Sequence, residues 1–454
     1  MKNKKRSKTV KLLIIFILLG LIVIVCNKRW NAWFDNPTEP SYASSRVPVR
    51  IQLTFGNDGQ FSRNVSWQCG DTLAVSQLYI VKSTTTDTVV VAAEGKMFHT
   101  QGGVTVSYRA KLLNLMEGEY SYSVCTDSKQ SAWYNFDVSA NDKFRFVYLG
   151  DIQDTVGGVM KNFVSVVSRN EKDAAFWILG GDVVERPHDQ YWNEYYVSMD
   201  SVAPVTPVIA CPGNHEYRKG IIGKLEDRFI YNFSYLVDSR SDGNAVFEMH
   251  YGNTAIITLD SNRDTWTLFS QRRWLKQALQ KAQNAQWKIV VLHHPLYSVR
   301  GELRDYIIRQ LFDPLLREYN VDIVLQGHEH CYARMIAKDK SHALTTPVYL
   351  ISQSSPKDYQ INFDKRYDRF GNGLRFYQTV DVAADTLLLK AYTETGELYD
   401  QVRIAKTNGK LQVVDLATEI PEYFDENLSR IQSIRPSAKI FYRQEIEKRL
   451  FLRP

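Results

Sequence analysis

Residues 144–153 read FRFVYLGDIQ, an apolar run closed by a glycine and an acid, and the same grammar returns further down the chain. Its counterparts are FWILGGD at 176–182, VIACPGNHE at 208–216, KIVVLHHP at 288–295 and VDIVLQGHEH at 321–330. Short runs rich in Val, Ile and aromatic residues, each stopped by Gly or Pro, predict strands, here buried on both faces. Further strands are expected at 254–259 and 348–351. Longer helix-compatible stretches lie between them at 156–167, 192–202, 271–285 and 303–319. In the third of these Trp274, Leu275, Ala278 and Leu279 recur at helical spacing. Strands alternating with helices predict an α/β layout. Residues 376–382 and 386–393 read as an antiparallel edge hairpin turning at 383–385.

Upstream of residue 144 the pattern is different. Residues 49–54, 64–69, 74–81, 88–93, 104–112 and 120–125 read as short strands, separated by turn residues such as Asn57-Asp58-Gly59 and Glu117-Gly118. Six or seven strands in about 95 residues predict a β-sandwich, with Trp67 in its core and Tyr120 opening a late strand. The fold class is therefore two-domain, an all-β sandwich at 48–140 followed by an α/β domain at 143–405. A chain of 454 residues exceeds what one hydrophobic core holds together, which agrees. Residues 30–47 read as a polar linker. Residues 406–454 read as a charged tail with a short helix near 443–450.

The N-terminus reads as a targeting segment. Residues 12–26 are uninterruptedly apolar, behind a basic stretch and ahead of Lys28 and Arg29. Fifteen residues fall short of a ~30 Å hydrocarbon core unless Lys11 and Arg29 snorkel. An uncleaved anchor, a lipid on Cys26 and a cleaved signal peptide are the three readings. All three place the body on the periplasmic or extracellular face, by the excess of positive charge before the run. Eight of the 56 Lys and Arg lie in residues 1–29, which leaves 48 against 50 Asp and Glu, a net of −2. The body is no polycation, and no nucleic-acid partner is expected. Five cysteines are too few for a disulfide scaffold. Cys69 and Cys125 could pair, while Cys211 and Cys331 read as buried thiols.

Chemistry is concentrated where the strands stop. Ligands of open α/β sheets bind outside the carboxyl ends of the strands. Asp151, Asp182, Asn214, His293, His328 and His330 should therefore converge on one crevice. Hard oxygen donors mixed with imidazoles suit Mn, Fe or Zn, and the set is too His-rich for Ca or Mg alone. One Asp after a strand is usually a turn residue. Five such elements in order are not explained that way.

The order GD-x-Q, GGD, GNHE, H-x-P, GHEH resembles the calcineurin-like metallophosphoesterase superfamily. Within it the chain is most similar to purple acid phosphatases, which join a fibronectin type III-like domain to the catalytic one. The resemblance covers roughly residues 48–402. It implies two transition-metal ions bridged by Asp182, with Asp151 and His330 completing one shell and Asn214, His293 and His328 the other. It further implies in-line attack on phosphorus by a metal-activated hydroxide, and a substrate that is a small phosphate ester. His215 matches the family's substrate-contacting His and is the expected proton donor, with Asn214 beside it. Two positions depart from the pattern. Glu185 stands where the iron-binding Tyr should be, so no tyrosinate–iron colour is expected. Gln153 could be a seventh ligand or hold a metal-bound water. The extra substrate-facing His pair is absent after His293, and Arg300 there could clamp a phosphoryl oxygen or be a solvated surface charge.

A phosphomonoesterase is the favoured reading. A phosphodiesterase or nucleotide pyrophosphatase with the same metals is its nearest alternative. A non-catalytic cell-surface binding module is a reading of another class, opposed by the competent residue at every ligand position. Nothing in the sequence sets the oligomeric state.

Overall fold

The computed structural model describes residues 36–56, 59–220, 223–233, 245–425, 428, 431 and 436–451, with Gly20, Val23, Asn27 and Trp30 upstream. No described helix is long and apolar enough to cross a membrane. The run 12–26, read as an anchor or signal, lies outside the described residues apart from Gly20 and Val23, as does Cys26.

Strand alternation builds the N-terminal sandwich. One sheet orders Val49–Gly56, Gly59–Gln68, Val104–Leu112 and Glu94–His99. The other orders Val89–Ala92, Ser76–Lys82, Gly118–Thr126 and Lys129–Gln130, with Tyr134–Val138 also on Gly118–Thr126. That makes nine strands among the described residues rather than six or seven, because short edge strands carry too little pattern to read. Trp67 is fully buried and stacks on Tyr108 at 5.8 Å, and its indole N–H donates to Thr126 of the opposite sheet at 2.9 Å. The Tyr120 hydroxyl donates back to the Met116 carbonyl at 2.8 Å, the corner geometry of such sandwiches.

The Cys69–Cys125 pairing that the sequence left open is not made, since both are free thiols. Side-chain parity explains it. Cys69 follows Val65 and Trp67 into the core, whereas Tyr120, Tyr122 and Val124 are the inward positions of the other strand, which turns Cys125 to its outer face. The linker is not a loose tether either. Glu39 is buried, Tyr42 N–H donates to the Gly102 carbonyl at 3.0 Å, and Ser44 Oγ donates to the Val104 carbonyl at 2.6 Å.

Beside a two-stranded pair of Tyr217–Arg218 and Lys224–Leu225, the rest is built, among the described residues, on two seven-stranded sheets. Their strands, numbered in chain order, are β1 (Phe144–Leu149), β2 (Phe176–Leu179), β3 (Val208–Ala210), β4 (Phe247–Tyr251), β5 (Thr254–Thr258), β6 (Trp287–Val291) and β7 (Ile323–Gln326). They continue with β8 (Tyr332–Lys338), β9 (Leu344–Ile351), β10 (Arg369–Gly371), β11 (Phe376–Val382), β12 (Thr386–Thr393), β13 (Leu398–Thr407) and β14 (Lys410–Asp415). The first sheet runs β3-β2-β1-β11-β12-β13-β14 and the second β4-β5-β6-β7-β9-β8-β10. β1, β2 and β3 are mutually parallel, as are β5, β6, β7 and β9. The longer helices are α1 (Met160–Asn170), α2 (Asp189–Ser198), α3 (Asp227–Asn232), α4 (Thr265–Lys281), α5 (Leu303–Glu318) and α6 (Pro436–Phe451).

The sheets face each other across one core. Ile289 and Val291 of β6 and Ile323 and Leu325 of β7 pack there with Phe146, Tyr148 and Ile209 of the first sheet. The intervening Val290 and Val324 point outward onto Leu275, Leu279, Phe312 and Leu316 of α4 and α5. Strands covered on both faces lose polar alternation, hence their uniformly apolar runs.

Two expectations at the C-terminus are corrected. The pair β11–β12 is interior, because β11 pairs antiparallel with β1 and β13 and β14 extend the sheet beyond β12. The sheet also runs past residue 405, through a turn at Asn408-Gly409, both with positive φ. The tail is no solvated appendage. Phe424, Leu428, Ile431, Tyr442 and Ile446 are buried in the core under the second sheet.

Candidate metal centre

Parallel pairing brings five strand ends to one edge of the two-sheet stack. Asp151 follows β1, Asp182 follows β2, Asn214 opens a one-turn 3₁₀ helix (Asn214–Glu216) after β3, His293 follows β6, and His328 and His330 follow β7. Asp151 (φ +47°), Asp182 (+49°), His328 (+74°) and His330 (+46°) all adopt left-handed backbone conformations. Each costs roughly 1–2 kcal/mol in a residue with a Cβ, and strain gathered at one place points to a functional constraint. The neighbouring glycines are needed for close approach. A Cβ on Gly213 would stand 2.0 Å from Asp182 Oδ1, and one on Gly181 (φ +89°) 2.6 Å from His293 Nδ1.

Five of the six predicted ligand side chains come together as two overlapping groups that could each hold an ion, and Asn214 stands against the first of them. One is Asp182, His293 and His328, the other Asp151, Asp182 and His330, and Asp182 is shared. His293 donates Nδ1–H to the Gly180 carbonyl at 2.9 Å, which leaves Nε2 as a lone pair. That Nε2 lies 3.2 Å from Asp182 Oδ2, 3.2 Å from Asn214 Oδ1 and 3.2 Å from His328 Nδ1. Asn214 Oδ1 is in turn 3.0 Å from His328 Nδ1. Four acceptor-bearing atoms at such spacing repel unless a positive charge stands among them. Metal–ligand bonds of about 2.0–2.2 Å place neighbouring ligands about 3.0–3.4 Å apart, so these separations fit the edges of a coordination shell. In the second group Asp151 Oδ1 is buried without a hydrogen-bond partner, while Oδ2 accepts His328 N–H at 2.7 Å. The residues fit a pair of metal ions.

Electrostatics make the same demand. Burial pushes the Asp151 carboxyl well above its ordinary range, and the Asp182 charge adds to this. Burial acts on Asp182 too, but the His293 and His215 imidazoles outweigh it and hold that carboxylate low. His293 is opposed by burial and nonetheless raised to about 10 by Asp182 and Asp151. The cluster calls for positive charge, whether from protons or cations. Burial lowers His328 and His330, which keeps both neutral and able to ligate.

The other predicted residues line the same site. His215 Nδ1 donates to the Glu185 carbonyl at 2.5 Å, and its Nε2 lies 3.9 Å from Asp182 Oδ2. Gln153 Nε2 donates to Glu185 Oε2 at 3.3 Å, and its Oε1 is buried without a partner. Arg300 lies with its guanidinium 4.3 Å over the Tyr359 ring, which packs on His330 at 4.5 Å, so it stands at the rim rather than free in solvent. His294 is a positioning residue. It takes a 2.9 Å hydrogen bond with Ser261 and packs its ring 4.3 Å from that of His328.

Sequence reasoning missed three contributors. Glu216 is fully buried and accepts the backbone N–H groups of Asp182 (2.9 Å), Val183 (2.8 Å), Val184 (3.2 Å) and Gly213 (2.6 Å), tying two ligand loops together. Glu329, between two ligands, accepts from Val299 N–H at 2.6 Å and Arg300 N–H at 3.2 Å and holds the rim loop. Lys357 forms an ion pair with Glu185. Each Glu directly follows a predicted site residue, His215 or His328, the one signal that could have marked it.

Comparison with known proteins agrees with this geometry. Residues 144–332 match the family described as Calcineurin-like phosphoesterase. Two purple acid phosphatases of Arabidopsis thaliana are similar: number 23, at 29% identity over 34% of this chain and 34% of its own length, and number 18, at 24% identity over 64% and 67%. The chain thus spans between about a third and two thirds of these relatives. A solved structure titled "Structure of PhoD" superposes with a TM-score of 0.59 over 92% of this chain and 99% of its own, at 11% identity, a likeness of fold alone.

Proposed function

We propose that this chain, a calcineurin-like metallophosphoesterase by its residues 144–332, hydrolyses phosphoric monoesters at the centre described above. The observation that carries the proposal is the convergence of His293 Nε2, His328 Nδ1, Asn214 Oδ1 and Asp182 Oδ2 within 3.2 Å of their neighbours around one point. Asp182, Asn214, His293 and His328 would hold one ion, and Asp151, Asp182 and His330 the other, with the Gln153 amide oxygen beside it. Bound there, two Mn, Fe or Zn ions supply Lewis acidity and activate water for attack on phosphorus at neutral pH.

The chain's own groups do the rest. Glu216 and Glu329 keep the ligand loops at fixed spacing, which shortens the search for a productive geometry. The Glu185 carbonyl fixes His215 through Nδ1, so the opposite nitrogen faces the site and can deliver a proton to the departing oxygen. Arg300 is steadied by Tyr359 and, at 3.4 Å, by Glu302, from where it can bind a phosphoryl oxygen. Glu185 is neutralised by Lys357 and offers no substitute for a tyrosinate ligand.

The test uses the full chain reconstituted with Mn, Fe and Zn. Close to two ions per chain are expected, with turnover of p-nitrophenyl phosphate faster than of its bis ester. A metal-free, inactive protein under all three conditions would refute the proposal, and preference for the bis ester would move it to the diesterases.

A further inference from the structure

We infer that the cleft beside the metal centre is an anion subsite, which takes a second phosphoryl group on the leaving-group half of the substrate. The inference rests on the hydrolytic reading above and carries it from reaction to substrate class. The cleft encloses about 270 Å³ and is continuous with the site, because Asn214, His215 and Glu185 line it together with Arg186, Arg218 and Lys219. His215 is the proton donor in the reading above, so the group that it protonates departs on the side of the cleft.

The charge balance of the walls is positive. Two carboxylates line the cleft, and both are committed elsewhere. Glu39 holds Arg228 at 2.9 Å and the Asp189 N–H at 2.7 Å, and Glu185 holds Lys357. Arg186 and Lys219 are exposed and form no ion pair among the described residues. Arg218 is 3.7 Å from Glu226, a carboxylate that Arg228 already engages at 2.9 Å. Three cations therefore face the space with no fully available counter-charge inside it.

The walls are also held in place before any ligand arrives. Asn36 grips Lys219 from both sides, donating to its carbonyl at 2.9 Å and accepting its N–H at 2.8 Å. Arg228 donates to the Pro187 carbonyl at 2.6 Å, one residue from Arg186. A cleft fixed in this way loses little backbone freedom on binding, and guanidinium groups suit phosphoryl oxygens. The recognised class is a compact ester or anhydride with a second phosphate next to the scissile one.

The test compares inorganic pyrophosphate with p-nitrophenyl phosphate on the full chain and on the double variant Arg186→Glu, Lys219→Glu. The wild type should show the lower KM for pyrophosphate. The variant should raise that KM about tenfold relative to the one for p-nitrophenyl phosphate, as loss of two charge-assisted contacts requires. An equal shift for both substrates, or none for either, overturns the subsite. If neither is hydrolysed the proposed function fails, and pyrophosphate binding by equilibrium dialysis then decides the subsite alone. A tenfold weaker binding in the variant supports it, and equal binding refutes it. Both substitutions are at exposed positions, and an unchanged thermal midpoint confirms that the variant is folded.

Discussion

Asp182 touches both halves of the centre, within 3.2 Å of His293 Nε2 on one side and grouped with Asp151 and His330 on the other. An amide in its place keeps the shape but removes the charge that lets two cations stand close together. Asp182→Asn should cut kcat about 10²–10³-fold, the usual cost of losing one electrostatic group at the reacting centre, and lower the metal content below two per chain. Elemental analysis beside the kinetics separates a lost ion from a merely misplaced one. His215 makes a different prediction, because it acts only where the leaving oxygen needs a proton. His215→Ala should slow an alkyl phosphate about 10²-fold and p-nitrophenyl phosphate far less, since nitrophenolate leaves unaided. Equal losses on both esters would reduce His215 to a positioning residue. The ligands were legible because each stands just past an apolar run, most of them behind a glycine, a local pattern. Lys357 was not, since it meets Glu185 across 172 residues and nothing near either one signals the pair.

At the level of elements, uniformly apolar runs gave the parallel strands correctly, while order within the sheets escaped. Whether β11 lies at an edge depends on its pairing with β1, more than 200 residues earlier, and no periodicity encodes that partner. The hairpin of β13 and β14 did carry a local mark, the Asn408-Gly409 pair, whose positive φ values suit a tight turn. Helix α1 begins later than its apolar pattern suggests because Asp154 caps it from a distance, accepting the Val159 and Met160 N–H groups at 2.7 and 2.9 Å. The first turn of α5 makes a prediction about pH. Burial, with the nearby Glu329 and Glu302 carboxylates, raises Asp305 to about 8. The unfolded chain titrates this group near 4, so between about pH 4 and 8 the native state binds more protons than the unfolded one. Stability then falls as pH rises through that window, by at most about 1.4 kcal/mol per pH unit. Asp305→Asn should remove that slope, so its thermal midpoint should gain on the wild type from pH 5 to pH 8. A constant difference between the two proteins across that range would show that Asp305 is already charged when buried.

The whole molecule is joined by ion pairs as well as by apolar contact. Arg228, with no exposed side-chain surface, holds Glu39 of the N-terminal strap and Glu226 at 2.9 Å each, and it lies 3.7 Å from Asp189 of α2. Asp189 is also held at 2.6 Å by Arg50, in the first strand of the sandwich. Strap, sandwich and seven-stranded sheets thus share one network, and Glu39 is its link to the strap. Burial raises the cost of the Glu39 charge, yet Arg228 outweighs it and holds the carboxyl below its usual range. Removing one partner of a buried pair costs about 3–5 kcal/mol where the other is left uncompensated, and less here because Glu226 still holds Arg228. Glu39→Ala should therefore lower the urea midpoint of the full chain with little change in slope, because the surface exposed on unfolding is nearly the same. Replacing Arg228 by Met in the same chain should deepen the loss, since the buried Glu226 then gives up its 2.9 Å partner as well. If Glu39→Ala instead splits one transition into two, the strap is what makes the sandwich and the α/β domain unfold as a unit. An unchanged midpoint would mean that water reaches Arg228 and that the network holds nothing together.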